Sequence, residues 1–135
     1  VAWFGALWGV GAGVVVALLM FAFTRVIITS FLPDDPLIAA AFTAAWLPIV
    51  IFQPINSMAF ITDGVHWGTG DYAYMRNGML IASITGIAVL WGIERSGSTN
   101  LALVWYATVL WILIRAAWGT VRIWPGVGNA PLKTS

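Results

Sequence analysis

Charged side chains are missing from most of this chain, and the places where they are missing decide what it can fold into. Residues 1–24 and 36–62 hold no Lys, Arg, Asp or Glu, and 77–93 and 96–114 are likewise uncharged. The whole sequence has six Lys and Arg and five Asp and Glu among 135 residues. A bilayer core about 30 Å thick takes about 20 apolar residues of helix to cross. Four such stretches predict four membrane-spanning helices. Transmembrane strands would alternate apolar and polar residues, whereas these stretches are apolar all round. The expected fold class is therefore all-α, a polytopic membrane protein.

Composition narrows the function classes. Hydrophobic residues make up 61% of the chain and charged residues 8%, where a soluble domain is nearer half apolar and a quarter charged. A water-soluble fold of this size could not hide so much apolar surface. Nine Trp suit the aromatic belts at membrane–water interfaces. A net charge of +1 gives no basic footprint for nucleic acid. Without Cys there is no disulfide, thiolate nucleophile or Cys-bound metal. The sequence opens at Val1, with neither Met nor a basic segment ahead of the first apolar run, and that run is too long for a signal peptide. It reads as a piece of a longer polypeptide, the alternative being a processed mature terminus.

The expected spans are about 3–31, 36–65, 72–93 and 99–118. In the first, Gly5, Gly9, Gly13 and Ala17 recur every four residues on one face, a spacing that lets membrane helices approach closely. Arg25 reads as snorkelling to the headgroups. Pro33, Asp34, Asp35 and Pro36 make a turn, with Asp34 or Asp35 capping the second span. That span holds Pro48 and Pro54, each of which removes a backbone hydrogen bond and kinks a helix. Residues 66–71 form a tight connection, and Asp71 reads as the N-cap of the third span, where Gly78, Ala82 and Gly86 make a second small-residue face. Residues 94–98 form a polar loop. Arg115, Arg122, Trp111 and Trp118 share a helical face where the fourth span leaves the membrane. Residues 125–135 read as a disordered cytoplasmic tail. Arg76, Arg115, Arg122 and Lys133 lie on one side of the membrane and Arg25 and Arg95 on the other. Basic residues favour the cytoplasm, so the 66–76 connection and the C-terminus are expected there, in an inner or plasma membrane.

Gln53, Asn56, Phe60 and Asp63 fall within an arc of roughly 80° at helical spacing. Two amides and a carboxylate thus share a stripe on a Pro-broken membrane helix. Polar side chains at that depth are costly and face a bundle interior or a cavity. Two readings of Gln53 and Asn56 stand: they line a cavity, or they hydrogen-bond neighbouring helices. Asp63 reads as structural in preference to a coupling role, paired with Arg76 or accepting from backbone N–H groups at the start of the third span. Asp71 reads as a helix cap rather than a ligand, and His66, the single His, as a solvated turn residue. No Ser/His/Asp set, phosphate loop or catalytic carboxylate pair can be assembled, so neither an enzyme nor a cofactor or metal is expected.

One segment carries a longer pattern. Gln53-Pro54-Ile55-Asn56, then Asp63-Gly64, then Gly68-Thr69-Gly70-Asp71 with Tyr74-Met75-Arg76-Asn77 resembles the multidrug and toxic compound extrusion transporters, in their DinF-like branch. The resemblance covers nearly the whole chain and is weaker after Ile93. It implies a twelve-helix transporter in two six-helix lobes, of which this chain would be the last four helices, within the second lobe. The remaining eight helices and membrane lipid would be its partners. It also implies export of small cationic or amphipathic compounds by alternating access, driven by H⁺ or Na⁺. In some branches a carboxylate on the helix matching the second span takes part in cation coupling. Asn56 falls at or near that place and is neutral, which leaves Gln53, Asn56 and Phe60 as cavity-lining residues. Two other readings compete: a complete four-helix assembly or scaffold subunit, and a flippase for lipid-linked substrates from the same wider superfamily.

Overall fold

The computed structural model describes residues 2–98, 100–124 and 126–132. It is helical throughout: α1 (Ala2–Phe31), α2 (Pro36–Ile51), α3 (Gln53–Gly68), α4 (Tyr72–Arg95) and α5 (Leu101–Ile123). Three of these, α1, α4 and α5, are long and apolar enough to cross a membrane. The second expected span is two helices, α2 and α3, whose axes bend by 48° and which together have the length for one crossing.

The bend has a local cause. Pro54 lies in the first turn of α3, where a missing N–H is tolerated, but it cannot donate back to the carbonyl of Val50. Pro48 lies inside α2 and is buried, and it frees the carbonyl of Ala44 in the same way. The helix breaks between these two prolines at Phe52 (φ −90°, ψ 5°), whose N–H still donates to the Pro48 carbonyl at 3.1 Å. The α1–α2 turn closes with Asp35 as N-cap, its Oδ1 accepting from the N–H of Leu37 at 2.8 Å.

Small residues set the crossings. A Cβ on Gly13 would lie 2.8 Å from the Cα of Pro54, and one on Gly9 would lie 2.8 Å from Cγ1 of Ile61. The α1–α3 interface therefore uses Gly9 and Gly13 of the expected stripe, while Gly5 meets nothing. Between α4 and α5, Ala82 is fully buried and a Cβ on Gly78 would sit 2.8 Å from Nε1 of Trp118. The pairs Ser83–Trp111 and Tyr74–Trp118 make α4 and α5 antiparallel. Trp46 Nε1 donates to Thr24 Oγ1 at 3.0 Å, tying α2 to α1. Large apolar side chains such as Trp8, Phe31 and Leu37 point outward, as on a surface facing lipid or further helices.

Candidate functional site

The helix after the break, α3, runs along α5 and builds two polar zones against it. The first lies at the bend. Gln53 and Asn56 face Trp105, Thr108 and Ile112 of α5 around a cavity of about 50 Å³, large enough for ordered water. Both amides are half-buried, and neither side chain hydrogen-bonds another described residue. An amide held at membrane depth without a partner is costly, and the adjoining cavity has room for the water that would partner these two. Phe60 lies apart from them, 61% exposed, with the Arg115 guanidinium 5.6 Å from its ring centre.

The second zone lies at the other end of α3. Asp63 forms an ion pair with Arg115 of α5. Arg115 is 7% exposed and also lies over the Trp111 ring at 4.3 Å. Next comes Asp71, which receives Arg122 in a two-pronged contact, Nε to Oδ2 at 2.6 Å and Nη2 to Oδ1 at 3.1 Å. Such paired bonds from a guanidinium fix geometry as well as charge. Arg122 also lies 4.3 Å over the Tyr74 ring. Tyr74 Oη donates to the Trp118 carbonyl at 2.7 Å, Trp118 Nε1 donates back to the Tyr74 carbonyl at 3.2 Å, and the two rings stack at 5.0 Å. His66 closes the cluster: its Nδ1 is 3.2 Å from Asp71 Oδ2 and its Nε2 is 3.3 Å from the Gly119 carbonyl.

These contacts correct three expectations. Asp63 pairs with Arg115, not Arg76. The face that α4 turns to α5 is set by Met75, Gly78 and Ala82, and Arg76, one residue round the helix from Met75, points outward and bonds only its neighbour Asn77, at 3.3 Å. Asp71 does hold the N-cap position of α4 but makes no side-chain cap bond, because its carboxylate is engaged by Arg122 and His66. His66 is 1% exposed, not solvated: α3 runs on to Gly68, which puts His66 one turn past the buried Thr62 on the inner face. Lys133, counted among the basic residues of the C-terminal side, lies outside the described residues, as do Thr99, Pro125 and the last two positions of the tail.

The fold and the two polar zones define a class: a helical membrane bundle with a broken helix, a polar cavity at the break and a charge cluster at one end. Comparison with known proteins gives the relatives. Over 81 residues, 59% of this chain, it is 36% identical to Protein DETOXIFICATION 43 of Arabidopsis thaliana, covering 15% of that protein. It is 33% identical over 76 residues to Protein DETOXIFICATION 42 of the same plant, covering 14% of it. Against Protein DETOXIFICATION 44, chloroplastic, the match is 26% over 131 residues, 93% of this chain and 25% of the relative. The chain thus spans a quarter or less of the curated relatives it matches. No family model matches it, and no solved structure does. These relatives carry the name DETOXIFICATION, and nothing in the matches singles out a DinF-like branch.

Proposed function

We propose that this chain is part of the second lobe of a secondary efflux transporter that exports cationic, amphipathic compounds by alternating access, in exchange for H⁺ or Na⁺. The observation that carries the proposal is the pair of unpartnered amides, Gln53 and Asn56, at the break between α2 and α3. Irregular backbone at membrane depth is tolerated where it is enclosed by protein or lines a cavity, and transporters place substrate sites at interrupted helices. The similarity to the DETOXIFICATION proteins supports the same reading. The motif resemblance alone points to the DinF-like branch. In this proposal Asp63, Arg115, Asp71 and Arg122 form a structural latch at the cytoplasmic end, with the C-terminus on the same side.

Reconstitution tests it. The full-length protein in proteoliposomes is expected to move a fluorescent lipophilic cation against an imposed H⁺ or Na⁺ gradient. Residues 1–135 alone are expected to be inert, because the cavity needs the opposing lobe. Flux from the 135-residue piece alone, or none from the full-length protein with either gradient, would count against the proposal.

A further inference from the structure

α4 buries Met75, Gly78 and Ala82 and leaves a flank exposed. That flank walls a groove of about 850 Å³, lined by Tyr72, Arg76, Leu80 and Ser83 together with Trp67 at the end of α3. At Ser83 the groove meets a second hollow, lined by Ile87 and Leu90 of α4 and by Trp111 of α5. Arg76, Leu80, Ser83 and Ile87 are four, three and four residues apart in turn, so they form one stripe along the helix. The span from Arg76 to Ile87 is about 16 Å at 1.5 Å per residue. One leaflet of a bilayer core is about 15 Å thick.

The groove is apolar along its length and charged at one end. Arg115 and Arg122, at the same end of the bundle, each face a carboxylate. Arg76 does not. Its Nε and Nη2 reach only Asn77 Oδ1, at 3.4 and 3.3 Å, and its Nη1 has no partner among the described residues. None of the described residues lining the groove carries a carboxylate. A guanidinium presents paired N–H groups that match a phosphate. Beside it Trp67 and Tyr72, both exposed, meet edge to face at 5.5 Å. Such rings sit at the level of the lipid headgroups.

We propose that this groove binds one anionic phospholipid, with its phosphate on Arg76 beside Trp67 and Tyr72 and an acyl chain running past Leu80 and Ser83 to Ile87. The proposal rests on α4 crossing the membrane and not on the transport reading. Charge sets the preference. A headgroup with net negative charge supplies the counter-charge that Arg76 lacks, whereas a zwitterionic headgroup carries its own cation next to the phosphate and gains less. A further apolar helix laid in the groove would bury the guanidinium without a carboxylate, which is costly. A lipid fills the apolar length and meets the charge at once.

Photocrosslinking in the full-length protein tests this. p-Benzoylphenylalanine replaces Leu80, an exposed residue of the groove. The protein is placed in nanodiscs holding equal amounts of dioleoylphosphatidylglycerol and dioleoylphosphatidylcholine, whose chains are identical. After illumination the adducts are weighed by mass spectrometry. The expected adduct is lipid, with phosphatidylglycerol favoured about fivefold, the preference that one Arg confers near an anionic surface. Arg76→Gln in the same background is expected to bring the ratio to about one. Arg76 is exposed, so this variant is expected to fold, and its melting curve in detergent verifies that. Equal labelling of the two lipids before Arg76 is changed, a preference for phosphatidylcholine, an unchanged ratio in Arg76→Gln, or cross-links to another helix or a second copy in place of lipid would each overturn the proposal.

Discussion

Asp63→Ala is expected to lower the stability of the protein in detergent by about 3–5 kcal/mol, the usual cost of breaking a buried ion pair from one side. The substitution leaves the Arg115 guanidinium, 7% exposed, without its carboxylate. Nε of Arg115 is already buried with no hydrogen-bond partner among the described residues, so nothing nearby can take up the loss. The cation–π contact with Trp111 at 4.3 Å offsets only part of it, at about 0.5–2 kcal/mol. Removing both charges, Asp63→Ala with Arg115→Met, is expected to recover much of the stability, because the penalty comes from the stranded charge. Arg76→Ala is expected to leave the melting temperature close to that of the wild type, since Arg76 is exposed and bonds only Asn77. Melting curves of the four proteins check this. A larger fall for Arg76→Ala than for Asp63→Ala would contradict the pairing.

Gly119→Val is the second large effect. A Cβ at Gly119 would lie 2.6 Å from the Cβ of Thr62, and Thr62 is fully buried, with its hydroxyl donating to the Ala59 carbonyl at 2.9 Å. A β-branched neighbour has few rotamers with which to yield, so the helices must part. Overpacking of this kind costs about 1–3 kcal/mol. Here it also moves the carbonyl that meets His66. Gly119→Ala is expected to show a smaller version of the loss, and Thr62→Gly combined with Gly119→Ala to recover part of it by moving the Cβ to the other helix. An unchanged melting temperature for Gly119→Val would mean that α3 and α5 do not cross at these residues.

Both effects centre on residues that the sequence showed unevenly. The helices are legible because about 20 uncharged residues leave few alternatives in a membrane, and the break is legible because Pro48 and Pro54 bracket it. The partner of Asp63 was not legible. Nearness in sequence favours Arg76 across a short turn, but contact is decided by which face of α4 is buried, and Met75 and Gly78 take that face. A signal was present in the spacing. Asp63 and Asp71 are eight residues apart and Arg115 and Arg122 are seven apart, so α3 with the turn that follows it can match both pairs along α5 when the two helices run the same way. His66 was misplaced for a smaller reason. The turn begins at Thr69 rather than at His66, because α3 continues through Gly68. Three more helical residues carry the imidazole from solvent into the α3–α5 interface.

The most direct measurement is efflux by the full-length Gln53→Leu, Asn56→Leu double mutant. The two amides face a cavity of about 50 Å³ against α5 and lie away from the ion pairs that hold the other end of α3. Leucine at both positions should satisfy the packing and remove the polar lining. Efflux of a lipophilic cation is measured in cells lacking their own drug pumps, with membrane levels matched by quantitative blotting. The expected result is loss of most of the efflux at wild-type abundance and melting temperature. Wild-type efflux from the double mutant would show that the amides are packing groups and that the cavity at the break is not on the transport path.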